Sequence, residues 1–288
     1  MSFSSRLARR SIVTIAALFC LGASSVMAQE ASPQLDFQHG PATFPIGDGL
    51  AEIDLSENFV FLDRPGTQML LRLTQNPMDG SERATVLPAS DAEQWFVVFE
   101  WEDIGYVSDE ESDLDADALL ESITEGTRAA NEERSQNGWA TMEITGWHDR
   151  PRYDEDTNNL TWAIAAKSGG ETNVNRVVKV LGRRGVMTVT LVASPDELAQ
   201  ADYQLAGLLE DYRFKTGSTY AEYLPGTDKL AEYGLAALIA GGAGAALVKS
   251  GLLARFWKVI VAGLVGVVSV VRRLFRGERA EDQPISKA

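Results

Sequence analysis

Cysteine is almost absent from this sequence. The single one, Cys20, sits inside an N-terminal stretch built like a secretory leader. From Gln29 onward there is no thiol, so a disulfide, a zinc thiolate site and a cysteine nucleophile are all excluded there. Histidine is nearly as scarce: His39 and His148 are far apart and have no metal-ligand spacing to each other. There is no Gly-x-Ser-x-Gly elbow and no phosphate-cradling glycine loop, since the only dense glycine run, "GGAG", lies in a hydrophobic segment. No cofactor is implied. Positive charge is also short: residues 29–228 carry 37 Asp or Glu against 14 Lys or Arg, a net of −23. Such a surface repels nucleic acid and anionic headgroups.

Both ends differ from this acidic stretch. Arg6, Arg9 and Arg10, an apolar core from Ile12 to Leu21, and "VMA" ending at Ala28 predict a signal peptide over 1–28. Phe19 stands where a lipoprotein signal needs a small residue before Cys20. After Asp228 the net charge turns to +5, and two uncharged runs appear, Tyr233–Val248 and Val259–Val271. Each is shorter than the roughly twenty residues of a span. The second run, rich in Val, Ile and Leu and extendable through Phe256 and Trp257, is the better span. In the first, Gly241 with Ala245 and Gly242 with Ala246 have the small-residue spacing of close helix packing in lipid. The expectation is an anchor of one or two helices over 229–276 and a polar tail at 277–288. The positive-inside rule favours one span, with Arg272, Arg273, Arg276 and Arg279 on the cytoplasmic side.

The domain between, 29–228, reads as α+β: an antiparallel meander with helices packed on it, beside the C-terminal membrane helices. Ile53, Leu55, Phe59 and Phe61 predict two strands around a Ser-Glu-Asn turn, "GTQMLLRLTQNP" a short helix, and "QWFVVFEWE" a strand. Ala116, Leu119, Leu120, Ile123, Thr127 and Ala130 form one stripe of a helix from about Asp113 to Ser135. "MEITGW", "NLTWAIAAK", "NVNRVVKVLG" and "GVMTVTLVAS" follow as the meander, with "GRRG" as a hairpin tip. Ser194, Pro195 and Glu197 open a last helix.

The residues that could carry chemistry are few. Phe99–Glu121 holds ten carboxylates. Asp113, Asp115 and Asp117 have the one-three-five spacing of a calcium loop, but Ala118 replaces its glycine and Thr124 its closing glutamate. An EF-hand is rejected and a looser surface calcium site stays open. The competing reading is a solvated helix start, with Ser112 as cap and the acids favoured by the helix dipole. Glu100 and Glu102, two apart on a strand, share a face, with Asp103 just beyond, and could divide acid and base roles if burial raised one pKa. Arg183 and Arg184 are the densest cationic spot and could clamp a carboxylate of the acidic stretch or of a partner. No residue is assigned to catalysis or to a metal.

"FVVFEWEDIGYV", "LDADALLESITEGTRAANEER", "GWHDRPRYDEDTNNLTWA", "LGRRGV" and "YLPGTDKLAEYGLAALIAGG" resemble, in order, the DUF2167 family of bacterial membrane-anchored proteins of unknown function. The resemblance runs from about Leu50 to Leu253 and implies an exported domain on a C-terminal anchor. It transfers no catalytic residue. The expected role is an interaction domain tethered to the bacterial inner membrane, facing the periplasm and meeting another envelope protein. The alternatives are a hydrolase using paired carboxylates and a calcium-stabilised binding module.

Overall fold

The computed structural model describes residues 35–109, 114–232 and 234–240. In sequence order they form β1 (Gln38–His39), β2 (Ala42–Ile46), β3 (Ala51–Leu55), β4 (Phe59–Leu62), α1 (Arg64–Leu73), β5 (Glu82–Pro88) and β6 (Phe96–Glu102). Then come α2 (Ala116–Gln136), β7 (Met142–Asp154), β8 (Asn159–Ser168), β9 (Glu171–Leu181) and β10 (Val186–Ala193). The last elements are α3 (Leu198–Glu210), β11 (Tyr212–Phe214), a 3₁₀ turn at Tyr220–Glu222 and α4 (Leu235–Ile239).

Eight strands make one antiparallel sheet in the order β1-β4-β5-β6-β10-β9-β8-β7, and β11-β3-β2 make a second, smaller one. The α+β class and the meander are therefore present. β10 explains the layering. Its Met187, Val189 and Leu191 face one side, against β2, β3 and the buried stripe Leu198, Ala201, Leu205 and Leu208 of α3. Its Val186 and Val192 face the other, where α1 covers β4–β6 and α2 with α4 covers β8 and β9. A strand apolar on both faces is one covered on both faces.

Two strands do flank the Ser-Glu-Asn turn, but they do not pair with each other. β3 joins the small sheet and β4 the large one, so the turn is a corner at which the backbone passes from one sheet to the other. Helix starts also differ from expectation. α2 begins at Ala116, with Asp115 as its cap accepting from the N–H groups of Asp117 (3.2 Å) and Ala118 (3.1 Å). Ser112, the expected cap, lies outside the described residues. In α3 the regular helix starts at Leu198, after a Ser194–Glu197 turn closed by the Leu198 N–H donating to Ser194 C=O at 3.0 Å.

Past Asp228 the backbone stays on the domain. The Tyr106 N–H donates to Lys229 C=O (2.8 Å) and the Ala231 N–H to Tyr106 C=O (2.7 Å). Gly105 makes that approach possible, since a Cβ there would lie 2.8 Å from the Lys229 oxygen and its φ is +102°. Leu235, Leu238 and Ile239 of α4 then pack on Leu160, Trp162 and Val177. No helix among the described residues is long and apolar enough to cross a membrane. The leader expected at 1–28 and the remainder of the expected anchor, 241–276, lie outside the described residues.

Candidate functional site

β6 places Glu100 and Glu102 on one face and leaves Asp103 exposed at its end. Strand register extends that face into a row: Glu82 opposite Glu100, Glu100 opposite Thr188, Thr188 opposite Lys179. Lys179, only 2 % exposed, donates from Nζ to Glu102 Oε1 and to Thr188 Oγ1, both at 2.8 Å. Glu82 accepts from the backbone N–H groups of Asp79 (2.8 Å) and Gly80 (3.1 Å) and from Gln68 Nε2 (3.3 Å). Glu100 has little help: among the described residues its side-chain hydrogen-bond partner is the Ser81 hydroxyl at 3.5 Å. Burial pushes its carboxyl up to about 8; Asp79, Glu102 and Glu82 push the same way, and Lys179 opposes them. At pH 7 Glu100 is a neutral acid beside an ion-paired Glu102. On the same face, Asn175 and Thr190 have buried side-chain polar atoms without partners, a place for ordered water.

The structure separates the twin arginines from that row. The Gly182–Gly185 turn is the expected hairpin tip, closed by the Gly182 N–H donating to Gly185 C=O at 2.9 Å. Arg183 forks onto Asp228, Nε to Oδ2 at 2.7 Å and a terminal nitrogen to Oδ1 at 3.0 Å. Its guanidinium holds the Asp228 carboxyl below the usual carboxylate range, assisted by the Leu224 N–H. The carboxylate that Arg183 clamps thus lies outside the acidic stretch, in the connection to α4. Arg184 is exposed and contributes its backbone carbonyl, which accepts from the Gly105 N–H at 2.8 Å. Among the described residues, no group of three His, Cys, Asp or Glu is arranged to hold a metal.

On the other face of the large sheet lies a groove of about 980 Å³. Thr161, Val178 and Val180 of β8 and β9 form its floor, and Leu205 and Leu209 of α3 one wall. Tyr212 and Phe214 of β11 line it as well. Four arginines surround it. Arg176 forks onto Asp202 and also reaches Asp149, Arg213 holds Glu52 and Asp54, and Arg150 reaches Asp117 at 3.0 Å. Arg152, exposed on β7, has no carboxylate partner among the described residues. Two polar atoms of the lining are buried and unpartnered, Asn159 Oδ1 and the Tyr212 hydroxyl. Burial pushes the Tyr212 phenol well above its ordinary range, so it stays a neutral donor and acceptor.

Sequence reasoning missed Lys179 and the groove residues. Lys179 had a signal: Asn173, Asn175, Val177, Lys179 and Leu181 alternate on one face of β9, and a lysine at an inward position calls for a buried counter-charge. Asn159 had none, because it opens the strand "NLTWAIAAK", where a polar residue is ordinary.

An acidic α+β domain with an internal carboxylate–lysine row and an open, arginine-rimmed groove is the class of protein this defines. The sequence matches the family described as "Protein of unknown function (DUF2167)" over residues 38–272, and the protein belongs to that family. No curated protein matches it. Among solved structures, it is similar to the cyanobacterial PsbP protein (CyanoP) of Synechocystis sp. PCC 6803, with 8 % identity and TM-score 0.36, over 64 % of this protein and 95 % of that one. It is also similar to PA94 of Pseudomonas aeruginosa, a protein of unknown function, with 10 % identity and TM-score 0.23, over 58 % and 91 %. Neither likeness carries an argument about function.

Proposed function

We propose that this protein is a binding domain of the bacterial envelope, exported past the inner membrane, held there by its hydrophobic C-terminal segment, and engaging another envelope component through the groove between α3, β11 and the β7–β9 face. One observation carries the reading: the groove is concave, has an apolar floor and is rimmed by four arginines, of which Arg152 has no carboxylate partner among the described residues. A concave apolar site with a few polar groups at its edge is the usual form of a binding site. The net charge of −23 over residues 29–228 argues against nucleic acid as the partner.

The test uses the full-length protein in intact envelopes, with a photo-crosslinking residue at Thr161 in the groove or at Tyr203, 79 % exposed on the far flank of α3. Specific adducts from position 161 and none from 203 support the groove. The reverse pattern moves the binding surface to the other flank and removes the reading.

A hydrolase using Glu100 and Glu102 is favoured by one feature, a neutral acid beside an ion-paired carboxylate. Glu100 is only 8 % exposed, which leaves a substrate little approach.

A further inference from the structure

Granting the groove as the binding surface, we infer that its occupant is an extended peptide segment, added as a strand to the free edge of β11, with apolar side chains at alternate positions and a carboxylate at the Arg152 end.

The backbone pattern of β11 supplies the first ground. The Asp54 N–H donates to Asp211 C=O at 3.2 Å and the Lys215 N–H to Leu50 C=O at 3.0 Å, with Arg213 opposite Glu52 between them. Asp211, Arg213 and Lys215 therefore turn their backbone groups toward β3. Antiparallel pairing alternates, so Tyr212 and Phe214 turn theirs to the opposite side, where no strand among the described residues pairs with β11. Both residues line the groove. An unpaired edge beside a concave apolar floor is the setting for strand addition.

Side chains supply the second. Along an added strand every other side chain points to the same face, and that face would meet the partly exposed Val180, Leu209 and Phe214. Peptide N–H and C=O groups would pair with the free backbone groups of Tyr212 and Phe214 along the edge, and a hydrocarbon tail would not.

Charge supplies the third. Arg150, Arg176 and Arg213 already hold carboxylates. Asp154, the acid nearest Arg152 in sequence, accepts instead from the N–H groups of Asp156 (3.0 Å) and Thr157 (3.2 Å). Among the described residues one cation is left over on the β7 rim, enough for one acidic side chain or for the terminal carboxylate of a peptide. A fatty acid would also suit Arg152 and the floor, but it would leave the β11 edge unpaired.

The experiment screens immobilised octapeptides, with Val, Leu, Ile or Phe at alternate positions and a free terminal carboxylate, against the purified full-length protein, with decanoate as the rival ligand. The expected result is a set of binders that slow hydrogen exchange at the Tyr212 and Phe214 amides. Those binders lose affinity when the amides along one edge of the peptide are N-methylated and keep it when the other edge is. Arg152→Ala, at an exposed position, should weaken them by about three- to fivefold, the worth of a partly screened ion pair. Three results overturn the inference: no peptide binds, binding survives methylation of either edge, or decanoate binds where peptides do not. The last removes the peptide while keeping the groove. Crosslinks from position 203 instead of 161 in intact envelopes would remove the groove itself, so the two failures are distinguishable.

Discussion

The carboxylate–lysine row and the arginine-rimmed groove lie on opposite faces of one sheet and dispose of their charge in opposite ways. In the row, Lys179 answers Glu102, backbone N–H groups answer Glu82, and Glu100 keeps its proton. Charge there is settled internally, under a surface that leaves Lys179 and Glu82 1–2 % exposed. In the groove three arginines are settled, and Arg152 has no carboxylate partner among the described residues. A strongly shifted pKa is a common mark of a functional site, yet here the largest resolved carboxyl shift lies in the closed region. Burial is its largest cause, with Asp79 next. A free strand edge and a rim cation beside an open concave floor are the better guide to binding in this molecule.

Lys179→Met should be the largest effect and the severest test of the row as a closed network. Removing one partner of a buried ion pair costs about 3–5 kcal/mol. Glu102 keeps 27 % side-chain exposure and recovers some hydration, so a loss of about 3 kcal/mol is expected in urea denaturation. Lys179→Met with Glu102→Gln should lose less than the sum of the two single changes. Strict additivity would break the contrast between a self-satisfied row and an open groove.

Glu100 sharpens the comparison through pH. Its folded pKa, about 8, lies above the ordinary 4.5. The folded state therefore keeps a proton that the unfolded state releases. Stability is full below about pH 4.5 and declines as pH rises through about 8, by up to about 1.4 kcal/mol per pH unit for the one proton. Glu100→Gln, which cannot ionise, should flatten that decline and be more stable than the wild type at pH 9. Denaturation midpoints at pH 5, 7 and 9 decide it, and parallel profiles for the two proteins would mean that Glu100 ionises freely in the fold.

How much of this was legible in the sequence follows the range of the interactions. Local signals were readable: the Val- and Thr-rich runs of the meander, the GRRG tip, the Leu119–Ile123–Thr127 stripe and the α+β class all depend on neighbours a few residues apart. The pairing of Glu100 was not readable, because Glu82, Thr188 and Lys179 reach it only through strand register. Glu100 and Glu102 could be placed on one face, but nothing local told which of them is buried. Asp103 falls outside the row for a local reason, since strand β6 ends before it. The groove was least visible of all. Its lining is drawn from β7, β8, β9, α3 and β11, and its two unpartnered atoms become notable only once everything around them is placed.

The acidic start of α2 supplies a third, smaller effect. Asp115→Ala removes the carboxylate that caps two backbone N–H groups and should cost about 1 kcal/mol. If capping is all the carboxylates do, melting of the full-length protein should be the same in chelator and in millimolar calcium. A calcium site would instead raise stability by about 2.7 kcal/mol at a hundredfold excess over its dissociation constant. A shift of that size would add a second open, charge-hungry place to the molecule and weaken the claim that the groove stands apart.

The twin arginines give the smallest effect and the finest discrimination, because they are adjacent in sequence but belong to opposite sides of the comparison. Arg183 is settled: its fork on Asp228 ties the hairpin tip to the segment leading into α4, where the Leu224 N–H shares the same carboxylate. Arg184 is exposed, and its structural contribution is a backbone carbonyl, which a side-chain substitution leaves in place. Arg183→Ala should therefore leave the domain folded but speed hydrogen exchange at Tyr106 and Ala231, the amides that hold the segment. Arg184→Ala should leave exchange unchanged everywhere. Neither arginine lines the groove, so neither substitution should alter crosslinking from position 161. Loss of that crosslink in Arg184→Ala, with exchange unchanged, would show that the binding surface extends to the hairpin tip and that the groove is only part of it.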